Sequence, residues 1–474
     1  MGSLTALINV ARSALIADQA ALNVTSNNVA NQNTTGYTRE VATFTSGDYV
    51  TLNGTQEASS GPTVAVSSER NLALERQIQT LQQSVSSSTA EGGVLTQIED
   101  IFGVASSGSS AGSTQIGVAL DALFSSFTAL AANPSDSATR QGVIGAAQTL
   151  ATSLNSAANQ FSELTTSLNQ QAQSTVEQVN ALTQTVATLN SQIAKLSPNS
   201  DAGTLEDQRQ TAIEQLSQYI GLTQTTNVND NTITLTTRGG TALVVGQQSY
   251  NLQESNTGTG TAQILDNTGK NITAGVTGGS LGGLLAGVNT DVPSAVSQLN
   301  SIATAIVNQV NTINEGGSTL TGAAGGALFT ITGSVADSAS GITAASDPAI
   351  IAAAASGAGT SDNTNANALA ALATTTNASQ TGPIQGQTFD GFYASLLSQV
   401  GNSAASLNSE TTANQTALTQ LTTQRDSYSS VNLDEEAANL TQYQRSYEAA
   451  SKVFTIADSI YASALNLGVE SSVS

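Results

Sequence analysis

The sequence contains no cysteine, no histidine and no tryptophan. Without cysteine the chain has no disulfide, no thiolate nucleophile and no thiolate metal ligand. Without histidine a serine hydrolase lacks its usual general base, and without tryptophan a glycosidase lacks its usual sugar-stacking platform. These absences argue against the common enzyme classes, and we expect neither a cofactor nor a bound metal.

Basic residues are also scarce, with 12 Lys and Arg against 34 Asp and Glu and a net charge of −22. The three lysines, Lys195, Lys270 and Lys452, are far apart, and the sequence has no basic cluster. We therefore expect no nucleic-acid partner and no membrane partner. Residues 1–23 have no continuous apolar segment typical of a signal peptide, and we expect no later run long enough to span a membrane.

Two segments, residues 108–112 and 278–282, match the Gly-x-Ser-x-Gly pattern of a hydrolase nucleophile elbow. Neither has a histidine to complete a triad, and chance matches are expected in a chain with 41 glycines. The densest acidic group, residues 434–436, lies at the predicted start of a helix. It is therefore not the kind of carboxylate pair that a glycosidase places in a cleft. The prediction is a protein that is not an enzyme.

Helical periodicity dominates the middle of the chain. Apolar residues recur at steps of three and four from Val143 to Leu196, which predicts one very long helix or two nearly collinear ones. Shorter helical patterns cover residues 74–85, 116–130, 292–313 and 397–428. Antiparallel packing of these helices into a long-helix bundle is expected.

The composition changes at Gly221. Thr and Ile alternate over residues 232–236, a Gly-rich turn follows at 238–240, and a second apolar run covers 242–245, which together predict strands joined by a turn. We expect this insertion to bury its apolar faces mostly within itself. A second Gly/Thr/Asn-rich zone at 315–364 has no clear periodicity. The predicted fold class is mainly α with inserted β (α+β).

Both chain ends carry apolar stripes with a seven-residue spacing. The stripe residues are Ile8, Leu15, Leu22, Val29, Leu433, Leu440, Tyr447, Phe454 and Tyr461. Burial within one subunit is the simpler interpretation, but two helices paired alone make a thin, marginal core. The stripes therefore predict coiled-coil helices that pair with each other and with neighbouring subunits, forming an assembly interface.

A motif adjoins each terminal helix. Residues 30–39 follow the first helix and contain Gly36, which suits the positive φ of a C-terminal cap. Residues 431–440 open the last helix, where Asn432 is the predicted N-cap and Glu435 its capping-box partner. Three successive acids there face the positive end of the helix dipole.

The spelling of these motifs resembles the axial proteins of the bacterial flagellum, the family of rod, hook and junction proteins. The residues that carry the resemblance are Asn31, Asn33, Gly36, Tyr37, Arg39, Asn432, Asp434, Glu435 and Glu436. Internal blocks at 205–209, 216–217, 243–246 and 362–366 follow the order found in the hook–filament junction members. Hook protein, which shares both ends, is the second choice within the family.

The resemblance implies a structural, self-assembling component of the flagellum, present as a ring of junction subunits. Its implied partners are hook protein, a second hook-associated junction protein, and a cytoplasmic export chaperone that binds the C-terminal helix. It also implies secretion through the flagellar type III channel to an extracellular position between hook and filament. A secreted adhesin-like module, whose β insertion binds a surface ligand, is the alternative from another class.

The predicted organisation has three parts. Residues 1–30 and 433–474 form a terminal coiled-coil assembly domain. A helical rod domain takes 31–220, 284–314 and 365–432. Residues 221–283, either alone or together with 315–364, form a β-rich inserted outer domain.

Overall fold

The computed structural model describes residues 2–470 except 35, 48, 53–54, 59, 104–114, 197–202, 228, 257–259 and 378–383. Helices make up 68% of it, which confirms a mainly α fold with inserted β segments. The first Gly-x-Ser-x-Gly segment, residues 108–112, lies outside the described residues.

The helices follow the predicted stripes closely. They are α1 (Gly2–Asn31), α2 (Leu72–Phe102), α3 (Gln115–Ala132), α4 (Ser137–Leu196), α5 (Gly203–Tyr219), α6 (Gly279–Ala286), α7 (Val292–Gly316), α8 (Ser338–Gly341), α9 (Thr364–Ala371), α10 (Phe389–Ser429) and α11 (Leu433–Glu470). The long central helix is confirmed as one continuous element, because α4 has 60 residues and a length of about 90 Å.

Helices α2 and α10 pack side by side as an antiparallel pair. The Tyr393 hydroxyl near the start of α10 donates to the Phe102 carbonyl at the end of α2 at 2.8 Å. At the other end of the pair, Leu418 packs on Leu74 and Ile78. Helices α3, α4, α7 and α9 complete the bundle around a core that includes Phe127, Phe161 and Phe389. We call α2–α10 with the strands packed on them the helical body.

Helix α3 is long and apolar enough to cross a membrane by length and composition, with a mean hydropathy of 1.4 over 18 residues. This differs from the expectation that no run of the sequence reaches that length. One face of α3, including Leu120, Leu123 and Phe127, is buried against the bundle. The hydropathy of α3 is therefore accounted for by its place in the core.

The strands form several small antiparallel sheets. They are β1 (Glu40–Thr45), β2 (Tyr49–Leu52), β3 (Thr55–Ala58), β4 (Thr63–Ser68), β5 (Leu222–Thr226), β6 (Ile233–Thr237), β7 (Ala242–Val245), β8 (Gln248–Ser249), β9 (Gln253–Asn256), β10 (Ala262–Leu265), β11 (Gly317–Ser318), β12 (Phe329–Ile331), β13 (Ile342–Ala344) and β14 (Ala354–Ala355). The sheet β5-β6-β7-β8 contains the predicted strands and the Gly-rich turn. The pairs β1–β4 and β2–β3 were not predicted, although residues 63–68 alternate between exposed and half-buried positions.

The expectation that the insertion buries its apolar faces within itself was wrong. Leu235, Leu243 and Val244 belong to the same buried cluster as the α4 residues Val179 and Val186. A four-stranded sheet is too small to cover its own inner face, so it uses the long helix as its second layer. The sheet and the helical body share one continuous core.

Helix asparagines hold much of the irregular backbone. Asn190 of α4 donates to the carbonyls of Ile233 and Gly246, each at 2.7 Å, and accepts from the Ile233 N–H at 3.1 Å. Asn314 of α7 makes the equivalent bonds in the second zone, to Ile350 at 3.0 Å and from Ala352 at 2.9 Å. These amides supply partners for backbone groups at strand ends and in loops that would otherwise be buried and unpaired.

Replacing Asn190 with alanine is expected to destabilise the chain by about 3 kcal/mol, because it leaves several buried polar groups without partners. Asn190 has no exposed surface. Denaturant unfolding measures the change. The matched control is Asn159→Ala on the exposed face of α4, which should cost well under 1 kcal/mol. Equal losses for the two variants would contradict this role.

Candidate assembly site

The N-terminal motif forms the turn that ends α1. The Thr34 N–H donates to the Asn31 carbonyl at 2.8 Å, and the Asn31 side chain donates to Asn27 at 3.0 Å. The Tyr37 hydroxyl donates to the Asn28 side-chain oxygen at 2.8 Å. Gly36 has a φ of +81°, the left-handed conformation predicted from the sequence. Asn33 is exposed on this turn.

The C-terminal motif opens α11 with the predicted N-cap but without the predicted capping box. Asn432 acts as the N-cap, since its side-chain oxygen accepts from the Asp434 N–H at 3.0 Å. Glu435 does not close the predicted capping box. Its carboxylate instead forms an ion pair with the Arg39 guanidinium at 2.8 Å. The acid at this position therefore links distant parts of the chain.

The two motifs meet at Arg39. Its Nε donates to Oε1 of Glu436 at 2.9 Å, and its Nη1 lies 2.8 Å from Glu435 and 3.6 Å from Glu69. The Arg39 backbone N–H donates to the carbonyl of Ser429, the last residue of α10, at 3.0 Å. One residue thus binds the start of α11, the end of α10 and the end of β4.

The block at 205–209 joins the same cluster. Asp207 of α5 accepts from the Thr38 N–H at 3.0 Å and forms an ion pair with Arg70. Arg70 also lies 3.4 Å from Glu75 at the start of α2. We call this cluster the joint, and its residues are Arg39, Glu69, Arg70, Glu75, Asp207, Glu435 and Glu436.

Burial sets the electrostatics of the joint. Burial by itself lowers the pKa of Arg39, but the charges of Glu436, Glu435 and Glu69 outweigh it and raise that pKa. Burial raises the pKa of Asp207 even though Thr38 and Arg70 favour its charged form. Burial also raises the pKa of Glu75 to about 7, with Glu214 adding to the effect and Arg70 opposing it.

Helices α1 and α11 pack on each other as an antiparallel pair, because Arg39, eight residues after the end of α1, binds the first turn of α11. We call them the terminal pair. The Phe44 ring of β1 adds a contact to Tyr443, with centroids 5.8 Å apart. Ala11, Ala17 and Ala21 of α1 are buried, so small side chains let the helices approach closely.

The heptad stripes lie at the edge of the α1–α11 contact rather than at its centre. Ile8, Leu15, Leu22, Leu440, Phe454 and Tyr461 are half-buried, whereas Val29, Leu433 and Tyr447 are exposed. Other large apolar side chains of the pair are also exposed, and we call them the exposed apolar set: Leu7, Ile16, Val453, Ile456 and Ile460. The terminal pair therefore retains apolar surface available to a partner.

Comparison with known proteins matches three family descriptions in chain order. Residues 8–38 match "Flagella basal body rod protein", 95–329 match "Flagellar hook-associated protein FlgK helical domain", and 423–467 match "Flagellar basal body rod FlgEFG protein C-terminal". The chain belongs to the flagellar rod, hook and hook-associated protein family. The two terminal matches contain most of α1, most of α11 and, of the joint, Glu435 and Glu436.

Full-length relatives narrow the similarity within this family. Flagellar hook-associated protein 1 of Escherichia coli K12 is 26% identical, with 98% of this chain and 100% of that protein aligned. The Bacillus subtilis protein of the same name is 26% identical over 97% of each. The hook junction protein FlgK of Burkholderia pseudomallei shares the fold, with a TM-score of 0.65, 20% identity and coverage of 74% of this chain and 100% of that one.

The remaining family blocks support the body rather than the joint. Residues 243–246 are β7 and its turn, and 362–366 open α9. There Asp362 accepts from the Ala355 N–H at 2.7 Å, and the Asn365 side chain donates to Ala352 at 2.6 Å. These residues fasten the second Gly-rich zone to the bundle.

Sequence reasoning missed several residues of this site. Asn28 is 1% exposed, donates to the Glu40 carbonyl at 2.8 Å and accepts from the Glu40 N–H at 3.0 Å. Arg70, Glu75 and Glu69 were also not predicted. The available signal was an asparagine inside an apolar helix, where it is intrinsically unfavourable unless its side chain binds backbone.

No catalytic arrangement stands out among the described residues. A groove of about 1080 Å³ lies between α4 and α7, and Asp337 is the one titratable side chain among its described lining residues. No group of three acidic or other potential ligands able to hold a metal occurs in the described part of the chain. The second Gly-x-Ser-x-Gly segment begins α6, where Gly283 packs directly against the backbone of Ser87.

Replacing Gly36 with alanine is expected to loosen the turn by about 1–2 kcal/mol. The left-handed φ penalises a side chain, and a Cβ would lie 2.7 Å from Oγ1 of Thr211. Hydrogen exchange of residues 20–40 measures the local opening energy. Gly145→Ala in α4, where a Cβ has open space, should leave this region unchanged. Unaltered exchange at 20–40 in the Gly36 variant would rule out the turn constraint.

Replacing Glu75 with glutamine is expected to stabilise the chain above pH 7. The pKa of Glu75 is raised from 4.5 to about 7, so the folded state holds this proton more tightly than the unfolded chain. The contribution of Glu75 to the free energy of unfolding is therefore fully present below about pH 4.5. It is lost as the pH rises to 7, which lowers the free energy of unfolding by roughly 3 kcal/mol. Denaturant unfolding at pH 5 and pH 8 tests this, with Glu177→Gln on the exposed face of α4 as control. Identical pH dependence in wild type and the Glu75 variant would contradict the assignment.

Proposed function

We propose that this chain is a structural subunit of the bacterial flagellum that forms the junction between hook and filament. The observation that carries the proposal is the terminal pair, which has exposed apolar surface and bears both terminal family matches. Alignment over nearly the whole length with hook-associated protein 1 supports the junction rather than the hook itself.

The proposed assembly interface consists of the predicted stripe residues together with the exposed apolar set. Neighbouring subunits would cover the part of these side chains that is still exposed, each contributing about 1–2 kcal/mol. In a ring, closely packed neighbouring subunits cover the apolar surface that the terminal pair of a single subunit leaves exposed. The proposed layout places the terminal pair innermost, the helical body in the middle and the β-rich segments outside.

The proposed partners are copies of the same chain, hook protein and a second hook-associated junction protein. A cytoplasmic export chaperone covering α11 before secretion would shield Val453, Ile456 and Ile460 from premature association. Secretion through the flagellar channel would then place the protein outside the cell. We propose no catalytic role.

Deletion of the gene tests the function. Cells lacking the chain should keep hooks but lose attached filaments, and the wild-type gene should restore them. Loss of the hooks as well would point to a hook protein. Normal flagella with a loss of surface attachment would indicate the adhesin-like module and overturn the proposal.

A further inference from the structure

The terminal pair and the helical body share no apolar core among the described residues. We call α1, α11, β1 and β4 the terminal unit. None of its described residues belongs to either buried apolar cluster of the body. Helix α11 packs mainly on α1, and α1 packs on β1, β4 and α11. Nondirectional apolar packing therefore does not fix how the terminal unit is oriented on the body.

Charged side chains lie where the two parts meet. Arg39, at the start of the terminal unit's hairpin, binds Glu435 and Glu436 at the first turn of α11. Its backbone N–H binds the end of α10, which belongs to the body. Arg70, just after β4, binds Glu75 of α2 and Asp207 of α5. Each arginine thus lies at a crossing point of the chain between the two parts.

The burial of these groups distinguishes the joint from an ordinary surface ion pair. The Glu436 side chain is 2% exposed and that of Arg39 17% exposed, so water screens their attraction only partly. Guanidinium groups hold carboxylates in fixed directions, so Arg39 with three carboxylates and Arg70 with two constrain rotation as well as distance. Removing Arg39 leaves the buried Glu436 carboxylate without its ion-pair partner.

We propose that the joint is an ionic orienting device, in which Arg39 is the positioning residue that sets the angle between the terminal unit and the helical body. Breaking the Arg39 contacts frees this angle while the α1–α11 packing and the body's core remain intact. The inference concerns the single chain and does not depend on the proposed flagellar position.

Spin-label distance measurement on the soluble monomer tests the device. The chain has no cysteine, so Gln19→Cys on α1 and Thr185→Cys on α4, both at exposed positions, give one label in each part. The unmodified joint should give a single narrow distance distribution. Arg39→Ala should at least double its width. The Glu435→Gln and Glu436→Gln double variant should broaden it similarly, and adding Arg39→Ala to that variant should add little.

The controls separate orientation from unfolding. Arg445→Ala removes an exposed α11 arginine that has no ion pair among the described residues, and it should leave the width unchanged. Circular dichroism should show the same helicity in every variant.

Three results would overturn the proposal. The first is a broad distribution in the protein with an intact joint. The second is an unchanged width in the glutamine double variant. The third is equal broadening by Arg39→Ala and Arg445→Ala. A gene-deletion phenotype unlike that of a junction protein would overturn the proposed function and leave this inference standing.

Discussion

Replacing Ile456 and Ile460 with serine is expected to abolish incorporation of the chain into flagella without changing the stability of the monomer. These side chains are 59% and 49% exposed, so the folded monomer gains little from them. Covered by a neighbouring subunit, the two contribute about 2–4 kcal/mol per contact, and a closed ring repeats that contact at every subunit.

Two measurements on this variant separate assembly from folding. Thermal unfolding of the purified monomer should match the wild type, and purified flagella should lack the variant. Val245→Ser is the matched control, because Val245 is 44% exposed on β7 outside the terminal unit. It should assemble normally. Full incorporation of the Ile456 and Ile460 variant would show that α11 presents no assembly contact.

Deleting residues 223–283, with Leu222 joined to Leu284 by a short flexible linker, is expected to unfold much of the helical body. The deletion exposes the α4 face around Val179 and Val186 and removes the first half of α6, which packs on α2. Several large buried side chains, each contributing about 1.5–3 kcal/mol, leave with it, and their sum exceeds the net stability of most domains.

Circular dichroism and thermal unfolding measure the effect. The expected result is reduced helicity and loss of a cooperative transition. A control variant that replaces only the exposed turn residues 267–270 with glycine and serine should retain the helicity and the cooperative transition. If the long deletion kept full helicity and a cooperative transition, the insertion would be an independent domain despite the shared core.

Local pattern was sufficient to predict the regular elements. Helix α4 and strand β6 each bury one face and expose the other. This produces a pattern of apolar residues that is visible within a few positions of the sequence. The strands of residues 40–68 were missed although 63–68 alternate, because the prediction extended the helical region across them. The short second-zone strands were also unpredictable, because they pair over only two or three residues and helix asparagines such as Asn311 supply further partners for their backbone.

The joint shows a different limit. Arg39, Glu435 and Glu436 were each predicted as signature residues, but as helix boundaries. Their pairing spans nearly four hundred residues and follows only from how the chain folds back on itself. One sequence carries no signal for such a contact, since the charge of an arginine does not specify its partner. Asp207 was likewise within a recognised block without an assigned contact.

Immunogold electron microscopy of intact flagella tests the central claim most directly. With antibodies raised against the purified protein, gold should be confined to a short band between hook and filament, and a deletion strain should show none. Labelling along the whole hook would contradict a junction subunit. Label on the cell surface with none on the flagella would contradict it as well.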